Sequence, residues 1–186
     1  MRLFVAVPFP AEVKNELGKL IDDWRQERDK VGWVKKENLH LTLKFLGETR
    51  VEKLEALKAN LSSRLNGLAS FTLALSGAGA FPNLNFARVL WVDVSEGKEK
   101  MVELAQKVEE ATVPLGFPSD ERDFAAHLTI GRVKEAQFSE RLLAKVRACT
   151  FEVKGIIVSE VVLYQSELAP GGSIYTPLAR FELVKR

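Results

Sequence analysis

Apolar positions along the chain follow two rhythms, alternation by two and recurrence every three to four residues, which predict strands and helices respectively. Residues 2–7 form a β-prone apolar run, and residues 12–30 then place Val13, Leu17, Leu20, Ile21 and Trp24 on one helical face. Residues 39–46 alternate as a strand. Residues 51–65 return to helical spacing through Leu54, Leu57, Leu61 and Leu65, and 71–75 reads as a strand. The order then begins again, with a strand at 89–94, a helix at 98–112, a strand at 124–130, a helix at 139–148 and a strand at 156–164. A last strand at 174–184 follows a Pro170-Gly171-Gly172 turn suited to a hairpin.

The recurrence carries a register. His40-Leu41-Thr42-Leu43 returns 87 positions later as His127-Leu128-Thr129-Ile130, and the same shift takes Leu3 to Leu90, Ala11 to Lys98 and Phe71 to Val158. Strand falls on strand and helix start on helix start, which predicts two similar lobes, about 1–80 and 88–186, within a single bilobal domain. No low-complexity linker divides them, and 77–85 is the expected crossover.

Composition narrows what such a chain can be. Hydrophobic residues make up 46% of the 186 positions, enough for a core, and 27 Lys+Arg against 25 Asp+Glu leave a formal net charge of +2. Any nucleic-acid affinity must therefore come from a local patch. A single Cys149 forms no intrachain disulfide, and one Cys with two His cannot make a four-ligand His/Cys zinc site. Lacking a His-Glu-x-x-His helix or a Cys pair as well, the chain is expected to hold no metal and no cofactor. Pro8 and Pro10 interrupt the first apolar run before signal-peptide length. The 23 uncharged residues at 65–87 could span a bilayer by length, but their Asn, Ser, Thr, Gly and Pro content argues against it. These features predict a protein of the reducing cytoplasm, off the membrane.

The only two histidines of the chain carry the candidate chemistry. On a strand, i and i+2 share a face, so His40 and Thr42 point one way and Leu39, Leu41 and Leu43 the other; His127 and Thr129 stand likewise against Ala126, Leu128 and Ile130. Taken singly, either His reads as a half-buried strand residue. As a pair at equivalent repeat positions, each followed by Thr on its own face, they predict one site at a shared cleft. Two hydroxyls and two imidazoles suit a phosphate, with hydroxyls donating to its oxygens and imidazoles dividing into base and acid near neutral pH.

The doubled His-x-Thr motif, with Arg2-Leu3-Phe4-Val5-Ala6-Val7 at the start, the segment Glu37-Asn38-Leu39-His40-Leu41-Thr42-Leu43-Lys44-Phe45-Leu46-Gly47, His127-Leu128-Thr129-Ile130-Gly131-Arg132 and Leu163-Tyr164-Gln165-Ser166, resembles the two-histidine phosphoesterase superfamily over essentially the whole chain. Within it the chain is most similar to the RNA 2′,3′-cyclic phosphodiesterases, also called the 2′-5′ RNA ligase family. The resemblance implies an α+β bilobal duplicated fold, with two antiparallel sheets lining a central cleft and helices outside. It implies a metal-independent monomer that opens a terminal RNA 2′,3′-cyclic phosphate to a 2′-phosphate, tRNA fragments being candidate substrates. Some members also join RNA ends through a 2′-5′ linkage by running the chemistry backwards. By resemblance His40 is the acid toward O3′ and His127 the base, although the near symmetry of the two motifs leaves that division open from the residues alone.

Arg132 resembles the phosphate-contacting Arg of the family. Its odd separation from His127 puts it on the wrong face unless a bulge or strand end at Gly131 turns it back. Lys44, four residues after His40, is expected on the His40 face, where it would attract phosphate. Phe9, Trp33 and Phe45 are candidates for stacking on a base, against core or rim roles. Lys35, Lys36, Lys44 and Arg50 form a candidate RNA-steering patch, and Gly77-Ala78-Gly79 reads as a turn rather than a dinucleotide site. Two other readings stay open: a cyclic phosphodiesterase of a small nucleotide such as an ADP-ribose cyclic phosphate, and an RNA-end binding or ligation factor whose hydrolysis is incidental.

Overall fold

The computed structural model describes residues 1–26, 29–121, 123–134 and 139–185. Nine strands and four helices are described, in an α+β arrangement of two antiparallel sheets. The first sheet runs in the order β3 (His40–Glu48), β1 (Arg2–Pro8), β8 (Glu160–Ala169), β9 (Gly172–Glu182). The second runs β2 (Val31–Trp33), β6 (His127–Val133), β5 (Val89–Glu96), β4 (Phe71–Phe81), β7 (Glu152–Val158). Each half of the sequence lends strands to the other sheet: β2 and β4 sit in the second, β8 and β9 in the first. The helices cross over too. α2 (Leu54–Leu65) and α3 (Lys98–Thr112) pack together, α2 touching β9 and α3 touching β3, while α4 (Glu140–Arg147) packs on β4 and bonds to the end of α1 (Ala11–Trp24). Among the described residues no helix is long and apolar enough to cross a membrane.

Each element follows from its pattern. α1 buries Val13, Leu17, Ile21 and Trp24, the stripe read from the sequence, and stops at Trp24 rather than continuing toward Lys30; residues 27 and 28 of that expected helix lie outside the described residues. β1 is buried on both faces, Leu3, Val5 and Val7 joining the core under the helices and Phe4 and Ala6 turning to the other side. β2 escapes sequence reading because three residues show no period.

Two sequence expectations are corrected here. The segment 77–85 is not a crossover: β4 runs on to Phe81, and a loop at 82–88 with a 3-10 turn at Leu84–Phe86 joins it to β5 as a hairpin. Its small residues misled the reading. Gly79 faces Trp91 so closely that a Cβ there would lie 2.3 Å from the indole, so the glycine makes room for a ring and marks no break. The expected strand at 156–164 is two strands, because the chain leaves one sheet at Val158 and enters the other at Glu160.

The single shift of 87 also fails as a common register. Pro8 pairs with His40 and Asp93 with His127, so β1 and β5 correspond at a shift of 85 while β3 and β6 correspond at 87. The difference of two keeps every side chain on its face.

Candidate active site

Both histidine strands carry a bulge at the same place. On β3, Thr42 pairs with Ala6 and Lys44 with Val5, leaving Leu43 without a partner. On β6, Thr129 pairs with Trp91 and Gly131 with Leu90, leaving Ile130 without one. An extra residue reverses the alternation beyond it. Before the bulge, His40 and Thr42 share a face with Phe4 of β1. After it, Phe45 returns to that face, 60% exposed, its ring 6.1 Å from Phe4. Lys44 turns the other way, into the core. The same inversion puts exposed Arg132 on the side of His127 and Thr129, and Gly131 inward against Val31 and Trp33. The distortion expected near Gly131 is thus present, one residue earlier.

His40 sits on a floor of aromatic rings. Phe4, only 2% exposed, lies 4.9 Å from the imidazole and stacks on Tyr164 at 5.2 Å, and Tyr175 meets His40 edge-on at 5.4 Å. The imidazole Nδ1–H donates to the Asn38 carbonyl at 2.6 Å, which leaves Nε2 as the acceptor of the Thr42 hydroxyl at 3.0 Å. Burial, together with the nearby Lys14 ammonium, pushes the pKa of His40 down to about 4 against the pull of that carbonyl. His40 is therefore neutral in the unliganded chain. A recess of about 330 Å³ opens beside it, lined by Lys14, Lys35, Asn38, Tyr164, Ile174 and Tyr175 among others.

His127 is oriented in the same way and furnished differently. Its Nδ1–H donates to the Ala125 carbonyl at 2.6 Å, Ala125 being the counterpart of Asn38, so Nε2 again points away from the backbone. Phe81 meets the ring edge-on at 4.9 Å and Trp91 lies 5.3 Å beyond it. Asp93, opposite His127 on β5, is held by Lys98 at 2.9 Å. Strands β3 and β6 pack against one another although they belong to different sheets and share no ladder.

Several expected site residues lie elsewhere. Lys44 is 3% exposed and bonds Glu109 in the core, so it offers no charge to a ligand on the His40 face. Phe9 is buried in the core, and Trp33 packs on the inner face against Gly131. Of the expected basic patch, Lys35 lines the recess, Lys36 bonds Asn15, and Arg50 is exposed at the far end of β3. Sequence reasoning missed Tyr164 and Tyr175 as walls of the site, and Phe81, Trp91 and Asp93 around His127. The available signal was the placement of the only two tyrosines of the chain in its last hairpin.

Two imidazoles on equivalent bulged strands, each with its tautomer set by a backbone carbonyl and a threonine two residues on, form a distinctive arrangement. Residues 9–169 match the 2′-5′ RNA ligase superfamily. The chain belongs to that superfamily. Its relatives include the RNA 2′,3′-cyclic phosphodiesterases of Archaeoglobus fulgidus, 39% identical over 183 residues (98% of this chain, 100% of the relative), and Methanothermobacter thermautotrophicus, 35% identical over 184 residues (98% and 99%). Among solved structures, Escherichia coli LigT complexed with 3′-AMP superposes with a TM-score of 0.80 at 30% identity, covering 98% of this chain and 97% of LigT. The likeness to the superfamily thus extends well beyond the two motifs.

Proposed function

We propose that this chain opens terminal 2′,3′-cyclic phosphates of RNA to 2′-phosphates, a reading supported by its likeness to RNA 2′,3′-cyclic phosphodiesterases. The observation that carries the reading is the pair of carbonyl-oriented histidines, each followed two residues on by a threonine on its own strand face. A phosphate seated between the two motifs meets both imidazoles. His127 Nε2 takes a proton from water as the water oxygen bonds to phosphorus in line with O3′. The P–O3′ bond breaks, its electron pair goes to O3′, and His40 Nε2–H supplies the proton that makes it a hydroxyl. Thr42 and Thr129 donate to non-bridging oxygens, and Arg132 adds its guanidinium to the charge that grows there. The product is a 2′-monoester with a free 3′-hydroxyl. A 5′-hydroxyl in place of water would form a 2′-5′ linkage.

That LigT is found in complex with 3′-AMP supports a nucleotide ligand for this chain. Our proposal extends to a monomer acting without metal or cofactor on cytoplasmic RNA fragments, those of tRNA among them. The test offers a terminal cyclic phosphate on a mononucleotide, a short RNA and an ADP-ribose derivative, with EDTA present throughout. Turnover of the RNA to a 2′-phosphate is expected. Preferred turnover of the ADP-ribose derivative, or equal RNA binding with and without the cyclic end and no turnover, would replace the proposal with a small-nucleotide enzyme or an end-binding factor.

A further inference from the structure

The inward turn of Lys44 gives the His40 strand a second job. Its side chain leaves β3 on the core face beside Val5, and its ammonium donates to Glu109 Oε2 of α3 at 2.6 Å and to the Pro118 carbonyl at 2.8 Å. Glu109 uses its other oxygen, Oε1, to accept the Asp120 backbone N–H at 3.3 Å. Pro118 and Asp120 belong to the segment that leaves α3, packed behind the first sheet, and crosses to β6 in the second. Five residues beyond Asp120 that segment presents Ala125, whose carbonyl orients His127. One residue of the His40 strand therefore ties down the approach to the His127 strand. The two sides of the repeat are fastened differently among the described residues. The counterpart of Lys44 is Gly131, and the approach to His40 is held by Asn38 Nδ2 donating to the Ser173 carbonyl at 2.7 Å and by the Lys14 ammonium of α1 donating to the Glu37 carbonyl at 2.8 Å, neither of them from the His127 strand.

We propose that Lys44, with Glu109 as its bridge, is a positioning residue that sets where His127 stands relative to His40. The inference rests on the reading of both histidines as the reacting pair. Lys44 touches no substrate. It acts by holding the segment 118–120, and a misplacement of about 1 Å at a reacting group is enough to lower a rate by 10²-fold.

Breaking one side of a buried ion pair destabilises a fold, whereas removing both charges restores much of the stability. The test therefore compares Lys44→Met with the double variant Lys44→Met/Glu109→Leu. The double variant is expected to recover the melting temperature but to keep kcat at least about tenfold below wild type, with KM changed far less, since the strut is still missing. With only two histidines in the chain, each imidazole can be followed by NMR. The His127 titration curve and Nδ1 signal are expected to move in both variants, and those of His40 to stay nearly in place. Should either variant not fold, Lys44→Arg carries the test: it keeps the charge but misplaces it, and a reduced kcat with a displaced His127 signal is expected. Wild-type kcat and an unmoved His127 signal in the folded variants would overturn the proposal and leave Lys44 purely structural. His127→Ala serves as the control. An active His127→Ala would sink the functional reading itself, whereas an inactive His127→Ala beside a fully active double variant sinks only the role of Lys44.

Discussion

At the scale of single residues, His40 carries the sharpest consequence. Burial and Lys14 lower its pKa to about 4 in the unliganded chain, whereas the proposed acid must hold a proton. A bound phosphate supplies the missing stabilisation: its negative charge favours the imidazolium, and the Thr42 hydroxyl is freed to turn toward the ligand. Binding of a 2′-phosphate product at pH 7 is therefore expected to take up a proton. Titration calorimetry in buffers of different ionisation heat measures this, and absence of uptake would make His40 the base and His127 the acid. The same low pKa affects stability. Between pH 6.5 and 4 the unfolded chain binds more protons at His40 than the folded chain does, so the contribution of neutral His40 is complete above pH 6.5 and is lost as pH falls through 4. His40→Phe, which suits the aromatic floor, is expected to lose less melting temperature than wild type from pH 7 to 4.5, and to lower turnover by at least about 10²-fold. Arg132 is argued on similar ground. Losing a donor at the growing charge costs about 10²–10³ in turnover, so Arg132→Ala is expected to fall in that range and Arg132→Lys, which keeps the charge without the planar fork, to lie between it and wild type. Steady-state kinetics on a cyclic-phosphate RNA decides; Arg132→Ala within twofold of wild type would return Arg132 to the solvated surface.

At the scale of elements, the two bulges do most to arrange the site. Strict alternation from His40 puts Lys44 beside it and Phe45 in the core, and the structure has the reverse because Leu43 is the extra residue. On β6 the same step needs a residue with no side chain at 131. A Cβ there would lie 2.8 Å from Val31 Cγ1 and 3.1 Å from the Trp33 ring, both on the short strand β2. Gly131→Ala is therefore expected to destabilise by about 1–3 kcal/mol, the usual cost of overpacking, and to lower turnover by displacing Arg132. Chemical denaturation with tryptophan fluorescence as the probe reads the first effect, and a variant of wild-type stability would show that β2 yields without cost.

At the scale of the whole molecule, the interleaving of halves matters most. Phe4 and His40 of the first half rest on Tyr164 and Tyr175 of the second, and β4 of the first half is paired on both sides by strands of the second. Separate fragments 1–86 and 87–186 would each expose the edge of an incomplete sheet and part of the apolar core. Neither fragment is expected to show a cooperative melting transition alone, and circular dichroism on their mixture is expected to show one. A fragment that melts cooperatively by itself would argue for lobes that follow the sequence order.

The sequence by itself determined most of the elements, because helical and strand periods are local. It also determined the histidine–threonine faces, because i and i+2 share a side before any distortion begins. The repeat further marked both histidines as equivalent and pointed to a strand distortion beside Arg132. Only the tertiary structure decided which way Lys44 faces, since a bulge is defined by what the neighbouring strand leaves unpaired and no period in β3 announces it. Partner strands were settled at the same level: 156–164 reads as one apolar run, and its division at Ser159 depends on two sheets competing for its ends. The low pKa of His40 likewise arises from Phe4, Lys14 and two tyrosines more than a hundred positions away, which meet the imidazole only once strands from both halves of the chain have assembled the first sheet.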